Sequence, residues 1–343
     1  MDLPPGIAYF ARQLGAVFLA PGFGLSSLAC ALAIAVAWIA MKRRRRGRPV
    51  RLRTILRGLF PRRIVASPST GADLGFFYYH LFLHGLAFGW AILSYQYLTN
   101  GLIAALVALF GTVSSSALPT VVSRAAITLV LFLAYEFGYW LNHWLSHRVP
   151  FLWQFHRVHH SAEVLTPLTS YRVHPVYSIV FGNILAVTAA IGSGLVHYAF
   201  GDTTQQYAIA GENVLIVVFI HAYVHLQHTE VWIPFRGVLG RIFVSPAHHQ
   251  VHHSTNPAHH NRNYGSCLAV WDWMFGTLHV PAREREVAAF GVEPDRFPAH
   301  TVMGELIAPF IRAAALVSRK PPPARGAATP AGAPAERAPV TQG

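Results

Sequence analysis

The sequence predicts an all-α fold, a polytopic integral membrane helical bundle with a cytoplasmic histidine-rich metal-binding cap. The first observation is composition: the 343-residue chain is 53% hydrophobic and only 12% charged, a balance typical of membrane proteins. The second is a series of apolar stretches that are long enough to cross a bilayer. The third is that sixteen of the twenty histidines lie between residues 143 and 260, at repeated short spacings.

The first apolar stretch, residues 23–41, predicts a retained membrane anchor. It has no basic segment before it and no small-residue cleavage site after it, so it does not resemble a signal peptide. Twelve basic residues but a single acid, Asp2, precede residue 64, and most of the basic residues follow the anchor directly: Lys42, Arg43, Arg44, Arg45, Arg46, Arg48, Arg51, Arg53, Arg57, Arg62 and Arg63. The positive-inside rule places this run in the cytoplasm, against anionic lipid. No aromatic-basic recognition motif accompanies it, so we expect no nucleic-acid partner.

Later apolar stretches predict the remaining spans, at residues 74–98, 121–141, 176–200 and 205–226. The apolar stretch 101–113 is short for a span. The span 121–141 runs straight into the first histidines. The two spans after them form a pair, which returns the chain to the same side of the membrane for the last histidines. We expect the Gly-rich residues 192–201 to make the turn inside that pair.

The same signals divide the chain into three parts. Residues 1–70 read as the membrane anchor and basic cytoplasmic segment, and residues 71–318 as a membrane-embedded catalytic domain. Residues 319–343 are Pro/Ala-rich with little to bury, which predicts a disordered tail. The two cysteines, Cys30 and Cys267, form no C-x2-C pair, so neither a disulfide framework nor a cysteine-ligated cluster is expected.

The histidines fall into three boxes: His143-x3-His147, His156-x2-His159-His160 and His249-x2-His252-His253. Residues four apart lie on one face of a helix, so both members of the first box can bind one metal. In each of the other boxes, the last two histidines are neighbours that point about 100° apart around a helix. One can serve one metal while its neighbour serves another. The boxes therefore predict a two-metal centre.

Further polar residues are weaker candidates. His221, His225 and His228 lie at helical spacing, and we expect His225 and His228 to complete the ligand set, with His221 as the alternative. His248, His174 and Glu136 are candidates for supporting the ligands, and Glu136 could also be a ligand itself. Isolated histidines are usually satisfied core residues, which is the expectation for His80, His84, His197, His279 and His300, while His259 and His260 read as loop residues.

Nearly all-nitrogen ligation suits iron, zinc, copper or nickel. Two other classes of protein stay open on this pattern. A membrane zinc hydrolase would need only about three ligands and no oxygen, although the zincin motif H-E-x2-H is absent. A non-enzymatic metal transporter would place its ionisable groups inside the spans, whereas these boxes follow the ends of apolar stretches.

The boxes and their context resemble the fatty acid hydroxylase/sterol desaturase superfamily of membrane diiron oxygenases. The matching segments are YWLNHWLSHRVPFLWQFHRVHHS (139–161), SYRVHP (170–175), LQHTEVWIP (226–234), SPAHHQVHH (245–253), NYG (263–265) and WDWMFGT (271–277). The H-T-E-V segment is similar to the alkylglycerol monooxygenase branch. Two positions depart from the common pattern: Asn261 stands where many members carry an acid, and Trp144 stands where arginine is common.

The resemblance implies two iron ions, for which zinc can substitute in isolated protein, held by His143, His147, His156, His159, His160, His228, His249, His252 and His253, with His225 or His221 completing the set. It implies no catalytic residues beyond these ligands and no bound organic cofactor. It also implies O2 as co-substrate and hydroxylation, or desaturation, of a lipid C–H bond. The sequence has no haem-binding or cysteine-rich segment, so electrons would come from a separate donor protein.

Overall fold

The computed structural model describes residues 24–84, 93–113, 119–201, 205–293, 295, 297 and 300–318, together with the single residues 8 and 15. The described secondary structure is mainly helical. The helices are α1 Leu25–Arg45, α2 Leu52–Leu59, α3 Arg62–Val65, α4 Pro68–Tyr79, α5 Tyr95–Phe110, α6 Thr120–Arg148, α7 Pro150–His160, α8 Pro175–Phe200, α9 Val214–Phe219, α10 His225–Gln227, α11 Gly237–Ile242, α12 Pro246–His252, α13 Val270–Met274 and α14 Val302–Ser318. Two π-helical turns, His80–His84 and Ile220–Val224, and two 3-10 turns, Pro167–Tyr171 and Pro257–His259, supplement them. A two-stranded antiparallel hairpin pairs β1, Ala208–Ile209, with β2, Glu212–Asn213.

Among the described residues, three helices are long and apolar enough to cross a membrane: α1, α6 and α8. Their 21, 29 and 26 residues correspond to the predicted spans 23–41, 121–141 and 176–200. Helix α6 continues past its apolar part to Arg148, so the first histidine box forms its last two turns. The same helix that forms the apolar span therefore places His143 and His147 in the cap.

Small residues bring α5, α6 and α8 close together. A Cβ added at Gly192 would lie 2.8 Å from the Cβ of Ala134 on α6, and one added at Gly194 would lie 2.8 Å from the side chain of Leu102 on α5. The prediction that residues 192–201 form a turn is therefore wrong. Both glycines lie inside α8, where the absent side chains permit close packing, and the helix ends only at Gly201, whose φ of +82° suits glycine.

The predicted spans 74–98 and 205–226 are also wrong in their bounds. Helix α5 begins at Tyr95, where the Ser94 side chain accepts the backbone N–H of Tyr97, so residues 95–98 belong to a separate helix that includes most of the short stretch 101–113. Residues 85–92 lie outside the described part. In the later span, a hairpin precedes α9, which starts where the Asn213 side chain caps Leu215 N–H. Hydropathy missed both starts because polar caps define them.

A buried ion pair holds the cap together beside α7. Asp73 on α4 and Arg172 are both fully buried, with Arg172 Nε 2.8 Å from Asp73 Oδ1. The Asp73 carboxylate also accepts from the hydroxyls of Thr166 and Thr169, and Arg172 donates to the Ser69 carbonyl. Because removing one partner would leave a buried charge, this network locks α4 against the 166–172 segment.

The basic segment after α1 contacts the cap. Lys42 and Arg46 both pair with Glu284, and Arg63 pairs with Glu230. The anchor also runs beside the π-helical turn 220–224 and α10, with Trp38 donating to the Trp232 carbonyl at 2.9 Å. The basic end of the anchor and the histidine-rich cap therefore lie on the same side of the molecule. The predicted tail 319–343 lies outside the described residues, and the three-part division of the chain stays a prediction.

Candidate metal centre

Nine of the ten predicted ligands come together in two adjacent groups. In each group, one nitrogen from every ring lies within 4.8 Å of all the others. The five-histidine group consists of His143, His147, His156, His160 and His252, and the four-histidine group consists of His159, His228, His249 and His253. The groups touch: the rings of His160 and His253 stack with centroids 4.4 Å apart. This is the two-centre arrangement that the boxes predict.

The second and third histidine boxes each contribute to both groups, but the group that receives two histidines from a box differs between them. On α7, the pair at i and i+4, His156 and His160, enters the five-histidine group, and His159 enters the other. On α12, the corresponding i and i+4 pair, His249 and His253, enters the four-histidine group, and His252 crosses over. Each helix therefore ties both groups together, as expected from the angle between adjacent helical residues.

The spacing between ring nitrogens matches that of ligands around a common metal. The Nε2 of His160 lies 3.1 Å from that of His147 and 3.1 Å from that of His252. In the other group, His228 Nε2 lies 3.1 Å from His159 Nε2 and 2.9 Å from His249 Nε2. Two nitrogens that each lie about 2.1 Å from one ion and meet at a right angle are about 3.0 Å apart.

Hydrogen bonds to backbone carbonyls set the tautomer of two rings in the five-histidine group. His143 Nδ1 lies 2.8 Å from the Tyr264 carbonyl, and His252 Nδ1 lies 2.8 Å from the Arg262 carbonyl. A carbonyl can only accept, so each Nδ1 carries the proton and, in the neutral ring, each Nε2 presents a lone pair to the group. Such outer contacts orient metal-binding imidazoles.

Burial keeps these imidazoles neutral. It lowers the pKa of His252 to about 4, against a weaker raising effect of the bond to the Arg262 carbonyl. It lowers the pKa of His159 to about 3, with the nearby His252 and Arg172 adding to the effect. Burial likewise lowers the pKa of His249 well below its ordinary value. Neutral rings at pH 7 are the form that binds metals.

Without a cation, the nitrogens of these groups are poorly satisfied. His143 Nε2 is buried and has no hydrogen-bond partner among the described residues. His252 Nε2 faces other ring nitrogens while its own proton is on Nδ1. Lone pairs directed at one another in a buried site are costly, and a metal ion in each group would satisfy them. The residues present therefore fit two transition-metal ions.

Two buried carboxylates hold the loop whose carbonyls orient these rings. Glu136 on α6 accepts the backbone N–H groups of Cys267 and Leu268 at 2.9 and 2.8 Å. Asp272 accepts the backbone N–H groups of Tyr264 and Gly265. Glu136 is thus in a supporting position and outside both metal groups. The sequence argument assigned no role to Asp272, although the WDWMFGT segment contains it.

His225 and His221 lie outside both groups. His225 Nε2 is 2.8 Å from the Ser27 hydroxyl on α1, and His221 Nε2 is 3.1 Å from that of Ser26. The expectation that His225 joins the ligands is therefore not met: the π-helical turn 220–224 rotates its ring toward the anchor. His228 follows the end of α10 and does join, with its Nδ1 3.0 Å from the Ser170 hydroxyl.

The other candidates have structural positions. His248 closes a capping box at the start of α12 with Ser245 and bonds the Gly240 carbonyl, and His174 caps α8 by accepting from Val176 N–H. His259 is buried in a 3-10 turn. His279 was expected in the core, but it is half-buried and pairs with a carboxylate.

The two departures from the family pattern are both accommodated. Asn261 accepts the Tyr264 hydroxyl at 3.2 Å, so its amide supports the residue whose carbonyl orients His143. Trp144 stacks on Trp140 with centroids 6.0 Å apart, in place of a salt bridge.

A largely apolar cavity of about 290 Å³ is lined in part by both groups. Its wall includes His143 and His156 from one group and His159 and His228 from the other. The rest is largely aromatic and aliphatic, including Tyr135, Tyr139, Tyr177, Phe181, Ile216 and Ile220. The cavity is therefore suited to bringing an apolar molecule to the histidine groups.

Comparison with known proteins shows that the region carrying this site is similar to one family. Residues 128–277 match the model of the fatty acid hydroxylase family, and all nine grouped imidazoles lie inside the matched region. The resemblance to the fatty acid hydroxylase/sterol desaturase superfamily is confirmed over this region, which is less than half of the chain. No solved structure matches the chain.

Relatives with named activities cover part of the chain. It is 32% identical over 146 residues to an alkylglycerol monooxygenase of Caenorhabditis elegans, covering 42% of this chain and 25% of the relative. It is 31% identical to the ornithine lipid hydroxylase OlsE of Rhizobium tropici (43% and 40%) and 28% identical to a Delta(7)-sterol-C5(6)-desaturase of Nicotiana tabacum (51% and 56%). The matches thus span a quarter to just over half of each relative's length.

Proposed function

We propose that this protein is a membrane-embedded diiron monooxygenase that hydroxylates, or desaturates, a C–H bond of a lipid. The observation that carries the proposal is the pair of touching imidazole groups in the wall of a largely apolar cavity. The named activities of the relatives, oxygenation or desaturation of alkylglycerols, ornithine lipids and sterols, support the lipid class. Two irons held by the nine imidazoles would supply activation of O2 and removal of hydrogen from an unactivated C–H bond.

The surrounding chain has three tasks in this reaction. The buried rings stay neutral and present unprotonated nitrogens, which hold the ions without adding charge. The apolar wall, with Phe181 and Ile216, excludes water and holds a hydrocarbon segment against the groups. Tyr139 and Tyr177 line the same cavity, and a tyrosine hydroxyl there would orient a polar part of the substrate.

Hydroxylation consumes one O2, two electrons and two protons, and it releases one water with the alcohol. Among the described residues we find no cysteine cluster that would hold a redox centre: Cys30 and Cys267 are unpaired. A separate donor protein would therefore deliver the electrons. The exposed basic residues around Arg43 and Arg48 offer it a docking surface, which anionic lipid would share.

The positive-inside rule orients the centre toward the cytoplasm. Lys42 and Arg46 at the end of α1 pair with Glu284, and Arg63 on α3 pairs with Glu230; both acids lie on the cap that carries the histidines. If the basic run is cytoplasmic, the metal groups are cytoplasmic as well, and the protein crosses the membrane several times.

The test is incorporation of labelled oxygen. The full-length protein is reconstituted with ferrous iron in liposomes of total lipid extract, given a chemical reductant and ¹⁸O2, and the lipids are analysed by mass spectrometry. We expect an ¹⁸O-labelled or newly unsaturated lipid that requires both O2 and reductant. His228→Ala should abolish it, while the matched variant His221→Ala, outside both groups, should retain it.

Two results would contradict the proposal. Product formation without oxygen or reductant would identify a metal hydrolase. Metal flux into the liposomes without lipid modification would identify a transporter.

A further inference from the structure

A third cluster of metal-binding side chains lies apart from the nine grouped imidazoles. His259, His279 and Glu286 each place one ligand atom within 4.8 Å of those of the other two. His259 ends the 3-10 turn that follows the third box, while His279 and Glu286 belong to the segment after α13. The sequence argument assigned no function to any of them.

The three side chains converge on one point. His279 Nε2 lies 3.1 Å from Glu286 Oε1, and the rings of His259 and His279 have centroids 5.1 Å apart. His259 is only 5% exposed, and its buried Nδ1 has no hydrogen-bond partner among the described residues. A buried nitrogen without a partner, beside a second imidazole and a carboxylate, is unfavourable unless a cation binds there.

We propose that His259, His279 and Glu286 bind one divalent transition-metal ion, with Zn²⁺ as the ion that fits them best. Two imidazoles and one carboxylate are a common ligand set for zinc, and a fourth position is left for water. The side chains of His279 and Glu286 are 31% and 25% exposed, so an ion can enter from solvent and keep that water. Unlike the two buried groups, this site lies at the surface of the cap.

The site would fasten the loop that orients the buried ligands. Asn263 accepts the backbone N–H of His279 at 2.7 Å and donates to the His279 carbonyl at 2.9 Å. The residues on either side of Asn263, Arg262 and Tyr264, supply the carbonyls that hold His252 and His143. An ion bound by His259 and His279 would link the residues just before the 262–264 loop to the segment that Asn263 already contacts. Its role is thus structural support of the centre.

The test counts zinc in the full-length protein, purified in detergent with an affinity tag that contains no histidine. The protein is equilibrated with excess Zn²⁺, passed over a desalting column and analysed for zinc per chain by mass spectrometry. Wild-type protein should retain one more zinc per chain than Glu286→Gln or His259→Ala. The matched control Glu284→Gln, two residues away and paired with basic side chains of the anchor segment, should retain the wild-type count.

A second measurement, Co²⁺ absorption, distinguishes loss of this one site from a loss of zinc caused by poor folding of a variant. Glu286→Gln is a nearly isosteric change at a partly exposed position. Titration of wild-type protein with Co²⁺ should show a visible absorption component that saturates independently of the others, and this component should be absent in Glu286→Gln. Equal zinc counts and equal Co²⁺ spectra in wild type and Glu286→Gln would overturn the proposal. The counts do not depend on the lipid reaction, so the two proposals fail separately.

Discussion

The five-histidine and four-histidine groups are alike in burial but differ in how the protein orients their rings. In the five-histidine group, the outer nitrogens of His143 and His252 bond to main-chain carbonyls of the 262–264 loop. In the four-histidine group, His228 bonds to the hydroxyl of Ser170, a side chain. The first group therefore depends on the fold of the 262–264 loop, whereas in the second the orientation of His228 depends on a replaceable side-chain hydroxyl. The two groups also differ in the number of imidazoles. One has five, so it still has four after the loss of one ring, whereas the other has only four.

Removal of one ligand should have the largest effect, and it should be unequal between the groups. His253→Ala leaves three imidazoles in its group, whereas His147→Ala leaves four. We expect His253→Ala reconstituted with ferrous iron to retain about one iron ion per chain in the two buried groups, with a loss of activity above about 100-fold, and His147→Ala to retain nearly two with a smaller loss. Metal analysis and ¹⁸O incorporation measure both. Equal metal loss in the two variants would contradict the ranking.

Removal of the supporting hydroxyl should affect one group only. Ser170→Ala deletes the partner of His228 Nδ1, and losses of this kind cost about 10- to 100-fold in metal affinity. Chelator competition should show one weakened ion and one unchanged ion. Ser193→Ala, a buried serine on α8, is the control for deleting a hydroxyl. Weakening of both ions by Ser170→Ala would mean that the groups do not act separately.

The loop can be weakened through Asp272. The Asp272 carboxylate accepts hydrogen bonds from two backbone N–H groups and from the indole N–H of Trp140. In Asp272→Asn, the amide N–H₂ would face at least one of these donors, and that hydrogen bond would be lost. We expect the free energy of unfolding to fall by about 2 kcal/mol and the five-histidine group to release metal first. Asp295→Asn, which breaks an ion pair near the surface with Arg312, should cost less than about 1 kcal/mol. Denaturant unfolding compares them, and an equal cost would argue against the loop's role.

The smallest effect concerns a histidine outside both groups. Burial lowers the pKa of His174 to about 4, so the unfolded chain binds more protons than the folded one between about pH 4 and pH 6.5, and stability falls as the pH drops through that window. His174→Asn keeps a helix cap but removes this titration. At pH 5.5, relative to pH 7, the variant should lose about 1 kcal/mol less stability than wild type.

The difference in pH dependence between wild type and His174→Asn reports on His174 alone, because the grouped histidines are present in both proteins. Thermal unfolding at the two pH values measures it. Identical pH dependence of the two proteins would show that His174 stays neutral in the unfolded chain or charges in the folded one.

Local periodicity predicted much of the site. The spacing of the boxes correctly separated His159 from His160 and His252 from His253, because the angle between adjacent helical residues is a property of the backbone alone. It failed at His225, which shares helical spacing with His228. A π-helical turn rotates His225 toward Ser27, and hydropathy does not reveal such a turn.

The amino-acid sequence by itself determined the class of the protein: an apolar, helical chain with boxed histidines at the ends of its spans. Composition and backbone periodicity are local quantities, so a linear chain is enough to read them. Only the tertiary structure decided which imidazoles share a group, which carbonyls orient them, and that His259 meets His279 and Glu286. These contacts join residues far apart along the chain, and their geometry is set by packing, which no local pattern specifies.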